Sequence, residues 1–195
     1  MNEKDLIRNI KSGNEDAFKE FINKYQKLVL NTCYSFLNDK TDAEDVTQEV
    51  FISVFLSADK FNENSKISTW LYRIAVNKSL NYIRDNKKRN IFRSIESFFG
   101  NDKNDELQIA DDSDYDSYGS ETDNKRRKNL QTAIDSLSQR QKTAFVLNKY
   151  ENLSYKQIAE VMNLSVSSVE GLIHRAKINV QKKVLKLCEK KQKFQ

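Results

Sequence analysis

Leu153–Lys177, LSYKQIAEVMNLSVSSVEGLIHRAK, is the stretch around which the chain's architecture can be worked out. It divides into two short helices around a tight turn. Ser154 and Gln157 stand at capping-box spacing, the hydroxyl capping the first turn while the amide reaches back to the cap. Ile158, Ala159 and Met162 then make an apolar face at helical spacing. Asn163, Leu164 and Ser165 form the break, with Leu164 expected to dip into a core and Ser165 to cap a second helix. That helix is expected to bury Val166, Val169, Ile173 and Ala176. Ser167, Ser168, Glu170, Gly171, His174 and Arg175 are left outward. Short polar side chains at a helix N-terminus, with basic residues a turn or two later, suit a helix that enters a major groove. An ordinary helical hairpin is the alternative.

The remaining composition points the same way. The 195 residues suffice for one domain or two small ones and include only four glycines and no proline, which disfavours tight β-turns and makes an all-α chain the expectation. No apolar run approaches the ~20 residues of a membrane span, so no membrane insertion is expected. The opening MNEKDLIRNI has no signal-peptide core. Cys33 and Cys188 lie far apart without metal-ligand spacing, and two reduced thiols in a cytoplasmic protein are the economical expectation.

The net charge of +5 hides a partition. Residues 1–100 carry 16 Lys/Arg against 14 Asp/Glu, residues 101–124 one Lys against nine acids, and residues 125–195 16 Lys/Arg against five acids. A basic terminal block carrying a helix–turn–helix pattern suggests a polyanionic partner, because neutralising phosphates releases counterions.

Before that block the chain is also helical by pattern. Leu6, Ile7 and Ile10 make a short first face that closes at Ser12-Gly13, and Ser12 with Glu15 has capping-box spacing for the next helix. Phe18, Phe21, Ile22, Tyr25, Leu28, Val29, Thr32 and Phe36 recur along it as core. Thr41 with Glu44 is expected to cap TDAEDVTQEVFISVFLSADKF, in which Ala43, Val46, Val50, Phe51 and Val54 share one side. Asp42, Asp45 and Glu49 fall on the other side, with Gln48 nearby. Such an acidic ridge fits a solvated face, a metal site or a docking edge for a basic partner. Two of its acids also favour a helix N-terminus through the macrodipole.

Phe61–Ser68 is a polar loop before TWLYRIAVNKSLNYIRDNKKRN. There Leu71, Ile74, Ala75 and Tyr82 can face a core, while Trp70, Arg73, Asn77, Asn81 and Arg84 line another stripe and Lys87, Lys88 and Arg89 follow. Aromatic, amide and guanidinium groups on one face suit unstacked bases and a phosphate backbone; a core Trp with solvated neighbours is the alternative. From about Ile91 to Asn124 the helical pattern fails. Asn101–Asp123 is acidic and has too little to bury to offset the entropy of ordering, so a flexible linker is expected. Asp112, Asp114 and Asp116 imitate the start of a calcium loop, but Ser117 takes the glycine position and Asp123 the final Glu position. Beyond Lys125–Lys128, Leu130, Ala133, Ile134 and Leu137 make one face. Ser138 with Gln141 spaces as a cap for a helix carrying Ala144, Phe145 and Leu147, and Val180, Val184 and Leu187 continue the last helix.

Taken together, these segments resemble the bacterial RNA polymerase sigma factors, specifically the small two-domain extracytoplasmic-function (ECF) group. DAEDVTQEVF (Asp42–Phe51) is similar to the family's polymerase-binding helix, STWLYRIAVNKSLNYIR (Ser68–Arg84) to its promoter-melting helix, and LSYKQIAEVMNLSVSSVEGLIHRAK to its C-terminal helix–turn–helix. The resemblance implies an all-α fold: an N-terminal helical bundle over 1–92, an acidic flexible linker over 93–124, and a four-helix domain over 125–195. It implies a promoter-recognising initiation factor, neither enzyme nor cofactor-binding protein. Its partners would be core RNA polymerase (the clamp helices of the largest subunit and the subunit flap), promoter DNA and an anti-sigma factor.

By the same resemblance, Asp42, Asp45, Gln48 and Glu49 dock on the clamp helices. Phe61 and the loop Asn62–Ser68, with Ser65 and Lys66, cradle a flipped minus-ten base. Trp70 and Asn77 support strand separation, and Arg73, Arg84, Lys87 and Lys88 hold phosphates. Ser165, Ser167, Ser168, Glu170, Gly171, His174 and Arg175 read the minus-thirty-five duplex, His174 and Arg175 through phosphates. The family's loop often carries a glycine and an aromatic near Asn64 and Ile67, and its recognition helix often carries basic residues where this chain has Glu170 and Leu172. Glutamate can accept from cytosine N4, which makes Glu170 a candidate cytosine reader. A stand-alone DNA-binding regulator would leave the Asp42 ridge and Trp70 stripe idle. A magnesium-dependent nucleotide hydrolase using Asp42, Asp45 and Glu49 would lack a second acidic helix.

Overall fold

The computed structural model describes residues 3–62, 65–99 and 121–192, and the regular structure among them is helical. The chain divides into two compact units, Met1–Asp114 and Tyr115–Gln195.

The first unit holds α1 (Glu3–Lys11), α2 (Glu15–Leu37), α3 (Lys40–Ser57), a single 3-10 turn at Ala58–Lys60, and α4 (Ile67–Phe99). Helices α2, α3 and α4 pack pairwise, and α1 lies against α2 and the 3-10 turn. Their shared core contains Leu6, Ile7, Phe21, Val29, Val46, Val50, Val54, Leu71 and Ala75. Full burial of each larger side chain stabilises the bundle by about 1.5–3 kcal/mol.

Two helix starts differ from the expected ones. At α2 the cap is Asn14, whose Oδ1 accepts from the Ala17 amide at 2.9 Å, while the Ser12 hydroxyl donates to the Asn9 carbonyl at 2.9 Å. Gly13, at φ +80°, turns the chain between them. At α3 the cap is Asp39, whose carboxylate accepts from the Asp42 amide at 2.8 Å, so Thr41 and Glu44 do not form the capping box. A carboxylate nearer the turn satisfies the first free amides before Thr41 can. Asn38, left-handed at φ 56°, separates α2 from α3 and its amide donates to the Tyr34 carbonyl. Helix α4 runs through Phe99, past Ile91 where the pattern was expected to fail. Charged and amide residues carry no core pattern, but without Gly or Pro they do not stop a helix.

The second unit comprises α5 (Glu121–Asp135), α6 (Gln139–Lys149), α7 (Tyr155–Met162) and α8 (Val166–Gln192), with α5, α6 and α7 each packed on α8. Ala133, Ile134, Ala144, Leu147, Ile158, Val169, Ile173 and Ala176 form its buried face. Lys142, with only 9% of its side chain exposed, donates from Nζ to Oδ1 of Asp135 at 2.6 Å and ties α6 to the end of α5. Burial, and then the Asp135 carboxylate, push the nearby Tyr150 phenol up from its usual pKa. Ser138 opens α6 through its carbonyl, which accepts from Lys142 N at 2.8 Å, but its hydroxyl makes no cap bond. Gln141 instead accepts from Asn179 of α8 at 3.2 Å.

Two apolar side chains expected inside are exposed: Leu130 and Val166. Val166 is the first residue of α8, so its stripe begins before the core does. Leu164, Val184 and Leu187 are half-buried. Cys33 is buried and Cys188 exposed. The acidic stretch holding Asp112, Asp114, Asp116 and Ser117 lies outside the described residues, as do the side chains of Phe98, Phe99 and Asp123; α5 is already helical at Glu121, inside the expected linker.

Candidate functional sites: acidic ridge, aromatic stripe and recognition helix

The ridge lies on α3. Asp45, Gln48 and Glu49 are exposed and Asp42 is half-buried. The Tyr82 phenol of α4 donates to Oδ1 of Asp42 at 2.5 Å. Burial, and after it the bond to Asp42, hold that phenol above its usual pKa of 10.0. Lys78 of α4 donates to Oε2 of Glu49 at 3.3 Å. The ridge is thus an acidic edge braced at two points by the helix beside it. It also continues in apolar form. Ile52 and Leu56 follow Asp45, Gln48 and Glu49 at three- and four-residue steps and are 59% and 75% exposed. Phe55 is exposed beside them, its ring 5.2 Å from that of Phe18. The spacing of Ile52 and Leu56 along the ridge is legible in the sequence; their exposure is not.

The stripe lies on α4. Trp70 is half-buried against the core, and its ring centroid is 4.9 Å from that of Phe61. Phe61, expected to cradle a base, is itself buried at 6% exposure. It underpins Trp70 from inside, because an apolar ring at the end of a 3-10 turn is drawn to the core beneath the loop. Asn62 and Lys66 are exposed, and Ser65 and Ser68 are of intermediate burial. The Ser65 amide donates to the Asn62 carbonyl at 2.9 Å and the Trp70 amide to the Lys66 carbonyl at 3.2 Å, forming the turn that starts α4. Asn77, Asn81, Arg84, Lys87 and Lys88 are exposed and Arg73 is half-buried, so the expected residues do share a helix. Arg84 Nε donates to Asp85 at 3.1 Å and holds that carboxyl below its usual range.

The helix–turn–helix forms as spaced. Gln157 N donates to the Ser154 hydroxyl at 3.3 Å and Ser154 N to Gln157 Oε1 at 2.9 Å, completing the capping box. Asn163 turns left-handed at φ 53°, and the Leu164 amide donates to the Ala159 carbonyl at 3.0 Å. Ser165 Oγ accepts from Ser168 N at 3.2 Å and lies 3.1 Å and 2.7 Å from the Ser167 and Ser168 hydroxyls. This cap presents a serine cluster at the exposed start of α8.

Ser167, Glu170, Gly171 and His174 line an open groove of about 430 Å³ together with Tyr155 and Lys177. Lys177 follows His174 at helical spacing and was legible as a continuation of the face. Tyr155 arrives from α7, which spacing along α8 cannot reveal. Arg175 folds its guanidinium over Gly171, where a Cβ would come 3.4 Å from Nη1. A Cβ there would make ordinary van der Waals contact with the flexible end of the arginine.

Known proteins match the same two units. Residues 21–89 match the family described as Sigma-70 region 2, and residues 127–180 that described as Sigma-70, region 4. The chain is 31% identical over 181 residues to the ECF RNA polymerase sigma factor SigW of Bacillus subtilis, covering 93% of this chain and 96% of that protein. It is 31% identical over 181 residues to the ECF RNA polymerase sigma-E factor of Haemophilus influenzae, covering 92% and 93%. Its fold is similar to that of the sigma factor RpoE from Bartonella quintana, solved in complex with the anti-sigma factor NepR. That match has a TM-score of 0.59 and 21% identity over 87% of this chain and 96% of that one.

Proposed function

The chain belongs to the ECF group of RNA polymerase sigma factors, and from that premise we propose which of its surfaces performs each part of transcription initiation. The observation that carries the family is the 31% identity with SigW over nearly the full length of both chains, in a chain where region 2 and region 4 are both matched. As a sigma factor it binds core RNA polymerase, recognises promoter DNA and drives initiation; it is not an enzyme.

Residues 1–92 are the polymerase-binding and minus-ten domain, 93–124 the connector and 125–195 the minus-thirty-five domain. The α3 ridge docks on the clamp helices: Asp45, Gln48 and Glu49 meet a basic surface, and the exposed Ile52 and Leu56 extend the contact into an apolar one. Asp42, bonded to Tyr82, sets the helix pair in register instead of facing the partner directly. On α4, Trp70 and Asn77 border the melted strand and Arg73, Arg84, Lys87 and Lys88 hold its phosphates. Flipping a base costs a few kcal/mol, which stacking and pocket hydrogen bonds offset. Phe61 keeps Trp70 at its angle. Helix α8 lies in the major groove, its serine cluster at the entry, Glu170 and Gly171 over base edges, and His174, Arg175 and Lys177 toward phosphates.

Such a protein works in the cytoplasm, where an anti-sigma factor is its natural regulator. Among the described residues no helix is long and apolar enough to cross a membrane. A stand-alone regulator has no use for the exposed acidic-to-apolar edge of α3, which favours the polymerase partner. Core binding by size-exclusion chromatography tests this directly. The wild type should co-elute with core polymerase, and Asp45→Ala with Gln48→Ala should weaken the complex at least tenfold. Unchanged affinity in that double variant removes the ridge from the interface.

A further inference from the structure

Lys78 sits on α4 one residue from Asn77 and three from Asn81, beside the proposed DNA stripe, but its ammonium is turned toward α3. There Nζ lies 3.3 Å from Oε2 of Glu49, with the two side chains 34% and 56% exposed. One ion pair therefore joins the surface assigned to polymerase with the helix assigned to DNA. We propose that Lys78 is a promoter-phosphate contact that Glu49 holds off the DNA until the polymerase takes over that carboxylate. This rests on the ridge and stripe assignments given above.

The pair has the properties that an exchange requires. Ion pairs open to solvent contribute little net stability, so Glu49 can trade Lys78 for a cation of the clamp without a large penalty. The lysine ammonium is a compact charge on a flexible stem with three donors and can re-aim without backbone movement. Residues three apart on a helix are neighbours, so the released ammonium reaches the Asn81 side of α4, where a strand laid along Trp70, Asn77 and Arg84 carries its phosphates. Tyr82, one turn further along α4, stays bonded to Asp42 and keeps the helices in register while the Lys78 side chain moves. The coupling is reciprocal: whatever docking adds to DNA affinity through Lys78, DNA adds to polymerase affinity.

Four full-length proteins test it: wild type, Glu49→Gln, Lys78→Met and the double variant. Each is titrated with a fluorescent twenty-nucleotide oligothymidylate over a series of salt concentrations. Neutralising one further phosphate of single-stranded DNA steepens the slope of log affinity against log salt by about 0.7. Glu49→Gln should show that increase over wild type, and the double variant should match Lys78→Met. No steepening in Glu49→Gln, or equal steepening when Lys78 is already Met, overturns the proposal. Arg73→Ala with Arg84→Ala, run in parallel, separates the two readings. If that variant binds like wild type, the stripe assignment fails and Lys78 falls with it; if it binds weakly while Glu49→Gln has no effect, only the Lys78 proposal fails.

Discussion

The Tyr82 phenol donates to Oδ1 of Asp42 across 2.5 Å, joining two residues 40 positions apart and bracing the start of α3 against α4. The bond is partly buried, and the alternative for Asp42 is hydration. Tyr82→Phe should therefore lower stability by about 1 kcal/mol. Urea titration followed by the fluorescence of Trp70, the chain's one tryptophan, reads that loss in the first unit. An unchanged midpoint would show that the bond adds nothing net.

The same phenol gives a pH dependence whose sign is fixed. Its pKa is raised above 10.0 in the folded protein, so the fold retains the proton more tightly than the unfolded chain does. The stabilisation is complete below about 10, the unfolded value, and is lost as pH climbs through the raised folded value. Wild type and Tyr82→Phe should thus converge in stability at strongly alkaline pH, and a gap that widens there would contradict the assignment.

Phe61→Ala should act on the fold before it acts on DNA. Phe61 is buried against Trp70, and emptying such a ring site costs about 3 kcal/mol. Trp70 emission should shift to the red and the urea midpoint fall. A variant with wild-type stability and lost DNA binding would instead return Phe61 to the base pocket.

Glu170→Ala should relax choice at one base pair of the minus-thirty-five element by about tenfold, the size of one good base contact. Selection of binding sites from a randomised duplex measures it. An unchanged site profile would leave Glu170 with no part in base choice.

Much of this was legible in the sequence wherever apolar periodicity carried it. Phe21, Tyr25, Val29 and Phe36 occur at helical steps and are buried, and Ser154–Gln157 is the capping box its spacing announces. Caps failed where several small polar residues compete. Asp39 pre-empts Thr41 from its place nearer the turn, whereas Asn14 caps α2 because the Ser12 hydroxyl is bonded back to the Asn9 carbonyl. Ser138 and Gln141 failed for another reason: Asn179, 38 positions away from Gln141, claims the glutamine amide. Spacing within one helix cannot report such a partner. Tyr82 with Asp42, Lys78 with Glu49, and Tyr155 in the groove beside α8 were hidden in the same way. The burial of Phe61 was also concealed, since its neighbours Asn62, Ser65 and Lys66 are polar.

As a sigma factor, this chain directs core polymerase to promoters. Run-off transcription with purified core polymerase on a pool of genomic fragments, with and without the protein, tests it most directly. Transcripts with defined starts should appear only when the protein is present and fade when Asp45 and Gln48 are both alanine. No specific initiation, together with no binding to core polymerase, would contradict it.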